Sequence, residues 1–370
     1  MKPKFIISKS IVLNQYKTIE SLADIITYSS KTNPLITPIL EENTNCLFSI
    51  HLFNELKNVN DKSRVFFLAQ AWDDEQIETL IKEGITNFTV DNEEDLNTLL
   101  EVLKNGKNST KITLFLRLKL RENTVKTEKY FVFGMNSDTI NKRIPELAKN
   151  PNITQLGVHF HRKTQNMSEW NYQYEISNIL SEETLSHLTW INMGGGLPAE
   201  YTNTNVDIFN GIFARIKEFK QWLQTKNIKL MIEPGRFIAA PAGKLHTKII
   251  SIYENNIIIN ASVYNSNMDA LIVPVKLLVK GEISRDIIEN NNGRENNREN
   301  NNNNNDEDNN IRGKPYVIKG ITPCSLDLFR YRVYLNNPKK GDEIVFLNAG
   351  AYNFSTDFCD LDKIETEVIE

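Results

Sequence analysis

The chain has 370 residues, 40% of them hydrophobic, with 43 Lys and Arg against 47 Asp and Glu and a formal net charge of −4. That is apolar material for more than one core with no basic excess, which excludes a small disulfide-stapled fold, a nucleic-acid partner and a polyanion partner. The N-terminal apolar run is too short for a signal peptide, and no stretch reaches the roughly 18 apolar residues of a membrane span, so no membrane association is expected.

From the N-terminus, short apolar runs alternate with amphipathic stretches. FIIS reads as a strand, VLNQYKTIESLADI as a helix and ITYSS as a strand. RVFFLAQ precedes the helical DDEQIETLIKEG, TNFTVD precedes EEDLNTLLEVLKNG, and KITLFLRLKL leads through a loop to DTINKRIPELAKN. LGVHFH, LTWINMGGG, the helical DIFNGIFARIKEFKQWLQTKN and KLMIEPGR complete the series. Alternation of this kind means βαβ units, and seven or eight of them in about 240 residues is the size of a (β/α)8 barrel. After Pro241 the character changes to strands: TKIISIYENNIIINASVY, LIVPVKLLVKG, PYVIKG and DEIVFLNAG.

The chain therefore reads as an α/β protein. A TIM-like (β/α)8 barrel spans 11–243 and a C-terminal β-domain spans 244–370, with residues 1–10 supplying a strand to the β-domain. One segment stands apart. Residues 289–310 are more than half Asn and otherwise mostly charged. With nothing apolar to bury they cannot offset their ordering entropy, and they are expected to be a disordered insertion between two strands.

In a barrel, chemistry gathers at the C-terminal strand ends, and several ends here are chemically capable. Lys31 in TYSSKTNP is either a solvated loop lysine or an amine of lowered pKa able to form a Schiff base. Glycines are scarce, 16 in all, yet Gly194, Gly195 and Gly196 stand in a row in INMGGGLP. They form either a plain turn or bare backbone around a phosphate, and they do not match the GxGxxG dinucleotide pattern. Glu233 and Arg236 flank the Pro-Gly pair of EPGR. They are either a surface ion pair or a carboxylate for a heteroaromatic nitrogen beside a guanidinium for a phosphate. His159 and His161, two apart, face one side of a strand; a metal-dependent hydrolase and a packed histidine both compete with a ring that stacks on a planar cofactor. The three cysteines form no CxxC pair, as suits a reducing cytoplasm. Cys324 in ITPCSLDLF is a lone thiol, and Tyr352 in LNAGAYNF is a tyrosine in a glycine-flanked turn.

Taken in order, Lys in TYSSKTNP, then HFH, GGG, EPGR, a Cys-containing turn and GAY, the series resembles the alanine-racemase-like (fold type III) pyridoxal-phosphate decarboxylases of ornithine, lysine, diaminopimelate and carboxynorspermidine. The resemblance runs nearly the whole chain. It implies pyridoxal 5′-phosphate as cofactor, a Schiff base on Lys31 and His161 stacked on the cofactor ring. It places Gly194, Gly195, Gly196, Gly235, Arg236 and Tyr352 at the phosphate, with Thr164 where relatives often have a serine. Glu233 corresponds to the acid paired with the pyridine nitrogen, and Arg117 to a strand-end arginine near the cofactor. Cys324 matches a proton donor that relatives contribute from a partner subunit, so a homodimer with shared sites is implied.

The expected reaction is loss of the α-carboxylate of a small amino acid, a diamino acid by default, with no metal. Diaminopimelate is a competing substrate, although Val273 stands where those enzymes carry an arginine. Racemisation on the same fold and a non-catalytic relative also compete with decarboxylation. Ser325 replaces the acid that relatives carry after the cysteine, which leaves Asp327 or Asp269 to hold a distal amine. FSIHL replaces a usual F-D-x-x-S, so Ser49 and His51 change one wall of the site.

Overall fold

A computed structural model describes residues 1–106, 110–120, 133–283 and 313–370. The Asn-rich insertion 289–310 lies outside the described residues. The described chain divides into two compact units, one of Lys9–Ala199 and Asn205–Ala239, the other of Met1–Ser8, Glu200–Thr204 and Ala240–Glu370.

The first strand, β1 (Lys4–Ser8), belongs to the second unit. The next eight close a parallel barrel in sequence order, as expected: β2 (Ile25–Ser29), β3 (Leu47–Ile50), β4 (Val65–Ala69), β5 (Asn87–Val90), β6 (Ile112–Arg117), β7 (Ile153–His159), β8 (Trp190–Asn192) and β9 (Lys229–Ile232). Strand β3 is missing from the alternation read in the sequence, because four residues beside a polar loop carry too little periodicity. Helices alternate with the strands and are capped where their sequences suggest. Asp73 and Gln76 form a reciprocal capping box on α3 (Asp74–Lys82), following α1 (Lys9–Ile19) and α2 (Ile36–Asn43). Asn92 caps α4 (Glu93–Asn105), whose first turn holds three acids that complement its N-terminal dipole.

Inside the barrel, Phe66, Phe115, Trp190 and Met231 form a buried cluster, with Phe66 and Phe115 edge to face at 5.2 Å. This plug makes the barrel a packed core, leaving only its mouth for chemistry. Among the described residues no helix is long and apolar enough to cross a membrane.

The second unit is a mixed sheet. Its path runs β12 (Leu278–Val279), β15 (Glu343–Leu347), β10 (Gly243–Tyr253), β11 (Asn256–Ile259), β13 (Lys314–Lys319), β14 (Leu328–Leu335). Strand β1 pairs antiparallel with β10 and parallel with β16 (Glu365–Ile369). LIVPVKLLVKG, expected as a strand, contributes only β12. Its start belongs to a helical turn, Asp269–Ile272, closed by Val273 N donating to Asp269 O at 2.7 Å. Pro274 then lacks a donor for a ladder, and the Lys276 carbonyl accepts from Thr202 N at 2.9 Å. That bond, with Arg330 Nη1 donating to Thr202 Oγ1 at 2.8 Å, ties Glu200–Thr204 into this unit.

Candidate active site

Register explains how distant residues meet on one barrel rim. Ser29 on β2 and Ser49 on β3 are partners. Arg117, His159 and Asn192 are successive partners across β6, β7 and β8. The hydrogen-bond ladder then runs past the strand ends: Phe160 N donates to Asn192 O at 2.9 Å, Met193 N to Met231 O at 3.1 Å and Glu233 N to Gly194 O at 2.8 Å. Lys31, His161, Gly194 and Glu233 therefore follow the C-terminal ends of β2, β7, β8 and β9.

Glu233 is 6% exposed. Its Oε1 accepts from Asn192 Nδ2 at 2.7 Å and its Oε2 from Ser49 Oγ at 3.3 Å. His159 Nε2 lies 3.8 Å from Oε2, an electrostatic contact rather than a hydrogen bond. Burial alone would raise the Glu233 pKa, but the neighbouring His159 and His51 rings and the Asn192 donor outweigh it and bring the carboxyl to about 2. Glu233 is thus a buried anion. Neither ring nitrogen of buried His159 has a hydrogen-bond partner.

Lys31 sits in a single 3-10 turn, Ser30–Thr32, directly after β2. Ser30 and Thr32 are buried while the lysine side chain stays open to solvent. Protein packed around its amine still lowers the pKa, with Arg117 adding to the fall and Glu233 and Glu55 opposing it. The effect favours the neutral, nucleophilic form. Arg117 is itself held by Asp91, with Nη1 to Oδ1 at 2.9 Å. His161 and His51 are each lowered to about 3, burial first; Arg117 comes next for His161 and Lys31 for His51. Both rings are neutral at physiological pH.

The glycine run is shaped by close approach. Gly194 and Gly196 have φ of +67° and +100°, and a Cβ on either would lie 2.5 Å from a carbonyl oxygen, Phe160 O or Lys163 O. A Cβ on Gly235 would lie 2.2 Å from Thr32 Oγ1, a buried hydroxyl without a hydrogen-bond partner. Next to it Arg236, 4% exposed, donates from Nε to Thr164 Oγ1 at 3.3 Å. A buried guanidinium, a hydroxyl and side-chain-free backbone are the donor types that a small polyanion needs. Among the described residues no three His, Cys, Asp or Glu side chains converge as a metal site.

Cys324, Ser325, Asp327, Asp269 and Tyr352 lie in the β-unit. Tyr352 adopts φ +57° in its turn, and Cys324 Sγ is 3.0 Å from Tyr264 Oη. Ser325 is exposed and Asp269 buried. Asp327 is 2% exposed. Its Oδ1 accepts from Val263 N at 2.8 Å, and its Oδ2 accepts from Thr322 N at 3.0 Å and Thr322 Oγ1 at 2.6 Å. Those bonds commit it to the turn rather than to a ligand.

Sequence reading missed Asn192, Asp91, Glu55 and Tyr264. Only Asn192 carried a usable signal, a lone amide inside the apolar strand LTWINM and two residues before the first glycine.

Residues 23–240 match the family described as pyridoxal-dependent decarboxylase, pyridoxal binding domain. A probable ornithine decarboxylase of Dictyostelium discoideum is 24% identical over 259 residues, 67% of this chain, and the chain spans about half of that relative's length, 54%. A 2-[(L-alanin-3-ylcarbamoyl)methyl]-2-hydroxybutanedioate decarboxylase of Staphylococcus aureus is 23% identical over 79% of this chain and 73% of its own length. Among solved structures, a lysine/ornithine decarboxylase complexed with putrescine from Vibrio vulnificus superposes with a TM-score of 0.76 at 19% identity, covering 100% of this chain and 94% of the other. At that identity the match shows a shared fold.

Proposed function

Because the chain belongs to the family of pyridoxal-dependent decarboxylases, we propose that it removes the α-carboxylate of a diamino acid, with pyridoxal 5′-phosphate held in the barrel mouth. The observation that carries this reading is Glu233, a buried anion on the same rim as a lysine of lowered pKa.

The residues present fit the cofactor. Arg236, Thr164 and the backbone of Gly194–Gly196 and Gly235 suit its phosphate, and the unpartnered Thr32 hydroxyl adds a donor beside them. His161, neutral and beside the glycine run, offers a flat face for the ring. Tyr352 is assigned to the phosphate by resemblance. When bound, pyridoxal phosphate supplies an electron sink for the pair left behind as CO2 departs.

The protein's own work surrounds that sink. Lys31 presents an amine to the carbonyl group, and its depressed basicity keeps part of it uncharged. Glu233 stays ionised, with Asn192 and Ser49 fixing its orientation, and would favour a proton on a ring nitrogen bound beside it. Arg117, fixed by Asp91, places positive charge near the lysine and favours its neutral form. Cys324 then returns a proton to the substrate α-carbon from a second copy of the chain. That arrangement is supported by large apolar side chains left exposed within seven residues of Cys324 in sequence, Ile321 at 47%, Leu326 at 60% and Tyr331 at 59%, which a homodimer would cover.

Ser325 and the occupied Asp327 leave the holder of the distal amine to be found by substrate choice. The test is a screen of carboxyl-labelled ornithine, lysine and diaminopimelate with purified protein and added cofactor. Release of labelled CO2 from one of them supports the reading. Inversion at the α-carbon without CO2 would instead make the protein a racemase.

A further inference from the structure

The turn that carries Cys324 is built more elaborately than a loop thiol requires. Cys324 O accepts from Asp327 N at 3.0 Å, closing the turn, and Gly320 N donates to Asp327 O at 2.9 Å. A Cβ on Gly320 would lie 2.0 Å from Asp327 Oδ1, so only glycine lets the carboxylate pass beneath. One oxygen of that carboxylate takes the amide of Val263, while the other takes the amide and hydroxyl of Thr322. Val263 opens the short helical turn Val263–Ser266, which Ser262 caps by accepting from Tyr264 N at 3.1 Å. The next side chain, Tyr264, packs on Phe358 with ring centroids 4.2 Å apart and sets its hydroxyl 3.0 Å from Cys324 Sγ. Asp327 thus joins two segments some sixty residues apart in sequence so that a tyrosine hydroxyl meets the thiol.

We propose that Tyr264 is a positioning residue for Cys324, its hydroxyl fixing and tuning the sulfur, with Asp327 as the buried anchor of the turn that presents the pair. The proposal rests on the reading of Cys324 as the proton-returning thiol and adds the residue that controls it. The charge balance agrees with the geometry. The Tyr264 hydrogen bond leads in lowering the Cys324 pKa, helped by the backbone amides of Leu326 and Asp327 and opposed by burial and the Asp327 carboxylate. The same bond leads in pushing the Tyr264 hydroxyl up to about 12, with Asp327 and Cys359 adding to the rise. Tyr264 therefore stays protonated and donates to the sulfur when the thiol ionises, and an ionised thiol is the form that must be reprotonated after each turnover.

The test is the pH dependence of iodoacetamide alkylation at Cys324, followed by peptide mass on the full chain. The thiolate is the reacting form, so the inflection reports the thiol itself without any turnover. In the unsubstituted protein the inflection should lie below that of an ordinary cysteine; one at or above the ordinary value overturns the proposal. Tyr264→Phe, which keeps the ring on Phe358, should raise the inflection by about one pH unit, slowing alkylation roughly tenfold at a fixed lower pH. Phe358→Leu, which disturbs the packing but not the hydroxyl, should leave it in place. An unmoved inflection in Tyr264→Phe, or equal shifts in both variants, overturns the assignment. A shifted inflection in a protein that releases no CO2 keeps Tyr264 as the residue that sets the thiol and removes only the catalytic reading of Cys324.

Discussion

Two buried carboxylates that the sequence offered as site residues, Glu233 in the barrel unit and Asp327 in the β-unit, are held in different ways. Glu233 receives its hydrogen bonds from side chains, Asn192 on β8 and Ser49 on β3, with His159 of β7 nearby. Asp327 receives two of its three from backbone amides and the third from a threonine in its own turn. Burial does not separate them, at 6% and 2% exposed; donor type does. Backbone amides must be satisfied wherever a turn is buried, so a carboxylate among them is structural first. Side-chain donors converging from separate strands satisfy no such demand.

Substitutions can break this contrast. The largest effect is expected at Lys31, which is accessible and supports no fold element. Lys31→Ala should lower the rate of CO2 release by roughly a thousandfold or more with an unchanged melting curve. Retained activity would defeat the reading of the rim. Glu233→Gln keeps the shape and most of the donors, so it should fold yet lose about 10²–10⁴ in kcat. Asp327→Asn should do the opposite, costing about 1–3 kcal/mol in urea unfolding by unbalancing a buried acceptor set. Were Glu233→Gln to unfold the chain while Asp327→Asn left stability untouched, the comparison would be reversed.

A smaller effect is expected at the phosphate side of the rim. Arg236→Ala should weaken cofactor binding about 10- to 100-fold in an absorbance titration, with partial recovery in Arg236→Lys, because a charged hydrogen bond is worth about 1.5–3 kcal/mol. The smallest concerns acid. His51 and His161 hold folded pKa values near 3 against an ordinary 6.5. The unfolded chain takes up protons first, so their contribution is complete above pH 6.5 and is lost as pH falls toward 3. His51→Gln should therefore hold its urea midpoint further into that window than the parent protein, and identical profiles would show that the ring is not buried neutral.

The barrel was legible because strand–helix alternation is a long-range pattern that one weak strand cannot hide. The candidate site was legible through order: Lys31, His161, the glycine run, and Glu233 with Arg236 follow β2, β7, β8 and β9, which are neighbours around the closed barrel. Asn192 and Asp91 escaped notice because their meaning depends on which side chain lies opposite. Tyr264 escaped for a stronger reason: nothing local in NASVYNS connects it to a cysteine some sixty residues later, and only the buried Asp327 makes that link. The β-unit was read less well, since LIVPVKLLVKG looks like a strand until Pro274 and the Asp269–Ile272 turn are placed.

Borohydride reduction of the cofactor-loaded protein asks directly whether Lys31 is the amine that binds the carbonyl group of the cofactor. After digestion, a single labelled peptide with the pyridoxyl group on Lys31 is expected. Label on another lysine, or none in a folded protein exposed to excess cofactor, would contradict this assignment.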